Sequence, residues 1–416
     1  MNLDRFLIRI AYAKNRFKDQ GIFWSLKELI YRTGTLMGWL FFLPFTLLLH
    51  LLGFRRLPIF TDRIGHLASE MDCFLKLKEL GQIDTSGKRF FVLAPSQKVS
   101  NACLLNYWRS FITIIDNPIA CWFLEVMTQN FFMRFEVTNY VLAIGGAAQY
   151  YEVQAKWADR MPLLTLNINH KMIGDMFLEK VGIPPDAWIV CVHAREGAFS
   201  PKDESVHQYR NMSINSMLPA IKEIIARGGW CIRMGDSKTI PLSPMNGCFD
   251  YAHFNEKSDE LDIYLCARCS FFLGDSSGLF IVSSIFGKPS ALTNQIPFAS
   301  TGFSPKDICI PKLLRKKDST EFISSKEILN SELSNFRMTR MYIEAQIEWV
   351  NNSSDEIRDL VLEMMDFLDG NYPLQIKNDL MEDGFFKHLK PWHYCYKTSA
   401  KISPAFVNRH KFIFQS

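Results

Sequence analysis

Residues 271–289 read FFLGDSSGLFIVSSIFGKP, and this stretch decides the fold. Phe271–Gly274 is a short apolar run of the kind that is buried on both faces of a sheet. Asp275-Ser276-Ser277-Gly278 is turn chemistry. The apolar run that follows suits a helix, and Gly287 ends it just before Pro289. A strand, a tight turn and a returning helix make the repeating unit of an α/β protein with a parallel sheet covered on both faces.

The same rhythm continues on both sides of this unit. WIVCVHA (188–194), WCIRMGD (230–236), CFDYAHF (248–254) and KPSALTN (288–294) read as strands. SINSMLPAIKEIIARG (213–228) reads as a helix capped by Ser213 and stopped at Gly228-Gly229, and KSDELDIYLCAR (257–268) as another. Two prolines in VGIPPD (181–186) mark a domain boundary. Upstream, GKRFFVLAP (87–95) and ITIIDNP (112–118) are strands around a loop and helix, and YVLAIGGAAQYYE (140–152) reads as a strand entering a loop. The expected organisation is α/β with two Rossmann-like domains, at 85–182 and 186–325. A tail at 326–416, helical and then irregular, is expected to pack back on the first domain.

Composition agrees with two domains. The chain has 416 residues, 48% of them hydrophobic and 22% charged, enough to build substantial cores. A net charge of +4 argues against a dedicated nucleic-acid binder and leaves room for a local basic face. The ten cysteines are scattered, and Cys191 and Cys231 lie inside apolar strands, as reduced buried thiols do. Cys266 and Cys269 lack the second pair that a zinc site needs. Residues 1–58 hold nine Lys/Arg against three Asp/Glu, beside the apolar run Leu36–Leu52. That run is interrupted by Pro44 and is short for a span, so a peripheral or monotopic anchor on an anionic membrane surface is expected.

Polar groups recur where strands end. His193 and Arg195 alternate past the strand 188–194 and project to one side, with Glu196 beside them. Arg offers a fixed fork of donors for a pyrophosphate. Arg210 and Asn211 precede the Ser213 cap. Arg233 lies within a strand, Asp236 follows it, and His253 ends the next. Asp275, Ser276, Ser277 and Gly278 form the turn at a helix start, read as an anion site, and no GxSxG elbow is read anywhere in the chain. No P-loop, HExxH, GxGxxG or Asp-x-Asp pattern is present, which points away from metal-dependent chemistry.

At these motifs the chain resembles bacterial glycosyltransferases encoded among surface-polysaccharide genes. The resemblance rests on His193–Arg195, Tyr209–Asn211, Ile232–Asp236, Asp250–His253 and Gly274–Leu279, and then on Thr293-Asn294 and the tail segment Ile402–Phe406. It is strong over 187–295 and fainter over 88–180. More distantly, the His-x-Arg strand end is similar to fucosyltransferase-like enzymes, and the Ser-Ser-Gly turn to heptosyltransferases.

The resemblance implies a metal-independent GT-B glycosyltransferase moving sugar from a nucleotide-sugar donor to a polysaccharide or lipid-linked acceptor, at the cytoplasmic face of the inner membrane. The nucleotide sugar is a substrate, and no cofactor is implied. His193, Arg195 and Glu196 would serve catalysis. Arg210, Asn211, Arg233, Asp236, His253 and Asp275–Gly278 would bind the donor. No acid follows Glu196 as in the fucosyltransferase-like pattern, so GDP-fucose is not supported. Lys98, Asp116, Glu125 and His170 remain undiscriminated as the acceptor's base. The competing readings are a nucleotide-sugar epimerase and a non-catalytic carbohydrate-binding protein of polysaccharide assembly.

Overall fold

The structure is a computed structural model and describes residues 40–128, 133, 147–197, 201–371 and 384–415, with scattered positions between 26 and 38. Most of the basic leader and the segment 140–146 lie outside the described residues. The chain divides into two compact units: 1–58, 85–98 and 112–136 form the first, and the remainder forms the second. Segments 59–84 and 99–111, between strands of the first unit, belong to the second.

In the first unit, β1 (Phe54–Arg56), β2 (Arg89–Leu93) and β3 (Thr113–Ile115) make a parallel sheet in that order. The strands read at 87–95 and 112–118 are therefore present, and β1 is an addition. Phe91, Leu93, Cys121 and Met133 form the core, with Leu49 packed on it from the helix over residues 40–51. No helix among the described residues is long and apolar enough to cross a membrane.

The second unit is built on seven parallel strands: β4 (Ile189–Val192), β5 (Trp230–Arg233), β6 (Cys248–Phe249), β7 (Phe271–Gly274), β8 (Ser290–Gln295), β9 (Ile308–Pro311) and β12 (Lys401–Ile402). A hairpin of β10 (Leu313–Lys316) and β11 (Ile347–Val350) stands beside it. The sheet order is β12-β9-β8-β7-β4-β5-β6. The chain starts at β4, winds outward through β5 and β6, then returns to β7 on the other side of β4. This is the doubly wound order, and the reversal between β4 and β7 is its topological switch point.

Helices α1 (Ile64–Glu79), α2 (Ala102–Trp108), α3 (Ala147–Trp157), α4 (Ile168–Lys180), α5 (Leu218–Ala226), α6 (Asp259–Arg268), α7 (Leu279–Ile285) and α8 (Ser354–Leu368) complete this unit. Helix α5 packs on α8, and α6 packs on α7, α2 and α4.

Several readings are corrected. Residues 147–152 are helical because Tyr150, Val153, Gln154 and Trp157 bury one face at helical spacing. The strand at 248–254 stops at Phe249, and Tyr251–His253 is a 3-10 turn. The tail lies in the second unit, and its Lys397 pairs with Glu152 of the segment read as the first domain at 3.1 Å. Its β12 edges the sheet on β9, and Asn352 exchanges hydrogen bonds with Asn294 at 2.6 and 2.8 Å. The motif residues Thr293-Asn294 and Ile402–Phe406 thus serve to fasten this tail.

Asp307 secures the β8–β9 connection from a fully buried position. Its carboxylate accepts the backbone N–H groups of Ser290, Phe303 and Ser304, each at 2.8 Å. Asp307→Ala orphans three buried donors and should cost about 3 kcal/mol or more. A urea titration should show a lower midpoint at unchanged slope; an unchanged midpoint contradicts this role.

Candidate functional site

The carboxyl ends of β4 and β7 meet at the switch point. The N–H of His193, just past β4, donates to the Leu273 carbonyl of β7 at 2.9 Å, so the two strand ends are held in register. Asp275 follows β7, is fully buried, and its Oδ2 accepts the Arg195 N–H at 2.6 Å. Its other oxygen lies 3.8 Å from His193 Nδ1. That oxygen, His193 Nδ1 and the Ser277 hydroxyl are all buried and have no hydrogen-bond partner among the described residues. Buried polar atoms are nearly always paired, so three orphans close together at these strand ends set this place apart.

Two arginines and a lysine surround these atoms. Arg210 donates through Nη2 to the Ser276 carbonyl. Arg195 donates through Nη1 to Asn211 Oδ1 and, at 3.3 Å, to the His207 carbonyl. The Glu204 carboxylate stands 3.8 Å from that guanidinium. Lys312 is 1% exposed and donates to the carbonyls of Tyr209 and Asn211 at 2.9 Å and to Asn351 Oδ1 at 2.7 Å. Three acceptors match the three protons of an ammonium. Burial pushes this ammonium down to about 7, while the Asp275 carboxylate draws it up. Lys312 lies just after β9, and no pattern in the sequence singles it out.

The remaining candidates form a second cluster. Arg233 is 1% exposed, and its guanidinium meets Glu196 and Asp250 at 3.2 Å and the Thr239 hydroxyl at 2.8 Å. His253 Nδ1 lies 3.0 Å from Asp250 Oδ2. Glu196 also accepts the Ile214 and Ile240 N–H groups, at 3.2 and 3.1 Å. An arginine inside an apolar strand requires such partners. Asp236 accepts the Lys238 N–H at 2.9 Å. His193, Arg195, Arg210, Asn211 and Asp275–Ser277 therefore come together at the switch point, whereas Glu196, Arg233 and His253 knit the neighbouring loops.

Gly278 has a packing reason as well. A Cβ there would stand 3.1 Å from the Gly65 nitrogen in the first turn of α1. The sequence reading also passed over a pattern, since Gly274–Gly278 fits the G-x-S-x-G spacing of a nucleophile elbow. That elbow strains its serine, yet Ser276 is not among the residues with positive φ, and its hydroxyl accepts the Ile296 N–H at 3.2 Å. The turn is not an elbow.

No family model matches the chain, and no curated protein matches it. Solved structures similar to it include E. coli ADP-heptose LPS heptosyltransferase II, at 13% identity and TM-score 0.41, covering 76% of this chain and 98% of that one. The iron-containing dodecameric glycosyltransferase TibC of enterotoxigenic E. coli is similar at 13% identity and TM-score 0.38, over 77% of this chain and 76% of that one. The UDP-GlcNAc 2-epimerase of Methanocaldococcus jannaschii is similar at 11% identity and TM-score 0.24, over 73% and 81%. Likenesses at this level are coarse.

Lys312 gives the site a pH signature. The unfolded lysine titrates near 10.5 and the folded one near 7, so between these values the unfolded chain binds more protons. Stability then rises with pH across that window. The melting temperature of the protein, measured relative to Lys312→Met, should increase from about pH 7 to about pH 10. A flat difference would show that burial does not perturb Lys312.

Proposed function

We propose that this chain is a GT-B glycosyltransferase that binds the diphosphate of a nucleotide sugar at the β4–β7 switch point. The observation that carries this reading is the cluster of orphaned His193, Asp275 and Ser277 atoms among Arg195, Arg210 and Lys312. Open α/β sheets bind ligands at this crevice. Cationic groups and a hydroxyl suit a leaving diphosphate, whose charge grows as the sugar–phosphate bond breaks. Asp275 lies beneath the anion, pinning the Arg195 backbone and facing His193. With arginines supplying the charge, the reaction needs no metal. The sequence resemblance over the same turns adds the reaction class and a polysaccharide or lipid-linked acceptor.

The first unit supports a place at the cytoplasmic membrane face. Phe41, Phe45 and Leu51 of the helix over 40–51 are 75, 59 and 81% exposed. In the helix Pro118–Thr128, Ile119 and Trp122 are 70 and 62% exposed. Phe42 and Phe123 pack at 6.3 Å and bring the two helices together. Adjacent apolar side chains left in water, with a basic leader, suit an interfacial anchor. Phe41→Asp/Trp122→Asp should lose sedimentation with anionic vesicles while keeping its melting temperature. Undiminished sedimentation would place the anchor elsewhere.

The site is tested by calorimetric titration of UDP, GDP, CDP and ADP with EDTA present. One of them should bind, and Arg195→Ala should weaken it about ten- to a hundredfold. Arg195→Lys should not restore affinity, because a point charge lacks the fork. Failure of every nucleotide to bind the folded protein, or equal affinity in Arg195→Ala, contradicts the assignment.

A further inference from the structure

A cavity of about 590 Å³ opens in the second unit among α2, the segment 163–167, the start of α4 and the first turn of α6. It shares no residue with the switch-point site. Its walls carry amides and hydroxyls, an aromatic pair and one carboxylate, that of Glu260, and no lysine or arginine. The nearest hydrogen-bonded cation is Arg109, which stands behind the wall with its Nε donating to Asn106 Oδ1 at 3.1 Å, so a phosphate or carboxylate ligand would meet no lysine or arginine on the wall itself. Two-way hydrogen-bonding groups beside aromatic rings suit a neutral polyol, whose hydroxyls both donate and accept and whose C–H faces lie on rings.

One wall is a fixed proton chain. His170 Nε2 lies 2.6 Å from the Glu260 carbonyl oxygen, which only accepts, so Nε2 carries the proton. Nδ1 is then the acceptor, and the Tyr107 hydroxyl 2.7 Å away donates to it. The phenol oxygen in turn accepts the Asn167 N–H at 3.3 Å. The side-chain amide of Asn167 donates to the same oxygen at 3.5 Å, so the chain holds the Tyr107 ring at the cavity wall with its hydroxyl engaged. Asn169 and Thr165 stand exposed on the rim, and no hydrogen bond from another described residue engages their side chains. Phe111, 39% exposed, offers a ring face.

An apolar path leads away from the cavity along α4. Ile173 lines the cavity and is 48% exposed. Ile168, Met172 and Met176, one turn apart, are 82, 57 and 62% exposed. Such a stripe suits an alkyl chain attached to the sugar.

We propose that this cavity binds a neutral sugar unit, and that the stripe on α4 favours a sugar carried on a lipid over a free glycan. Its role as the acceptor's seat rests on the glycosyltransferase reading; sugar binding does not. The test is saturation-transfer NMR and calorimetry on the full chain with octyl glycosides of glucose, galactose, mannose and N-acetylglucosamine below micelle concentration. Maltose, lactose and glucose 6-phosphate complete the panel. At least one neutral glycoside should bind, the alkyl forms more tightly than the free sugars, and glucose 6-phosphate not at all. Asn169→Trp and Thr165→Trp fill the rim from exposed positions and should weaken binding about tenfold or more, with nucleotide affinity unchanged. Arg195→Ala should show the converse. Absence of neutral-sugar binding, binding untouched by both tryptophans, or a preference for glucose 6-phosphate would overturn the proposal. A preference for free disaccharides would overturn its lipid-linked part. If sugars bind and no nucleotide does, the cavity stands and the glycosyltransferase reading falls.

Discussion

The second unit depends on one strand pairing with two neighbours in parallel. Val190 of β4 faces Cys231 of β5 on one side and Phe271 of β7 on the other. Because the chain leaves β4 in one direction and returns through β7 in the other, the loops that follow these strands diverge. A crevice opens between them at the carboxyl edge. The His193–Leu273 hydrogen bond sets its floor. Groups from residues 193–195, 209–211 and 275–277, distant in the chain, meet because β4 and β7 are adjacent.

Two polar clusters flank β4 and β5, and they differ in a way that assigns them. Around Arg233, carboxylates, a hydroxyl and backbone donors engage one another closely. That arrangement compensates a guanidinium buried at the end of β5 and fixes the loops around it. Around Asp275, three buried polar atoms lack a partner among the described residues, against Arg233 Nε alone in the other cluster. Leaving a buried hydroxyl unpaired costs about 1–3 kcal/mol, a cost that a phosphate oxygen accepting from it removes, whereas the Asp275 oxygen only accepts and is left to face His193. On the proposed reading, the open cluster takes the diphosphate and the Arg233 cluster holds the neighbouring loops.

Much of this was legible in the sequence, for identifiable reasons. Strands β4, β5, β7 and β8 are short apolar runs ended by glycine or polar residues, and Ser213 accepts the Asn215 N–H at the start of the 3-10 turn that leads into α5. His193, Arg195, Asp275 and Ser276 could be placed because strand ends share one edge. What stayed hidden depends on distant partners. Lys312 gains its position from carbonyls about a hundred residues away in the chain. That Arg233, inside an apolar strand, takes an acid as partner follows from its position, but which acids supply it, Glu196 and Asp250, depends on the fold. Gly278 was read as room for a phosphate, whereas its closest neighbour is Gly65 in α1. The tail's return to β9 as β12 is likewise a long-range pairing that no local pattern announces.

The central claim is that a nucleotide diphosphate occupies the β4–β7 crevice. Hydrogen–deuterium exchange read by mass spectrometry, with and without a saturating nucleotide diphosphate, tests it segment by segment. Exchange should slow together in 193–197, 209–213 and 275–280, three stretches linked only by the switch point, and remain unchanged in 102–111 and 163–173. Protection confined to other segments would show that the nucleotide binds elsewhere, and the assignment of His193, Arg195, Arg210 and Asp275–Ser277 would fall with it.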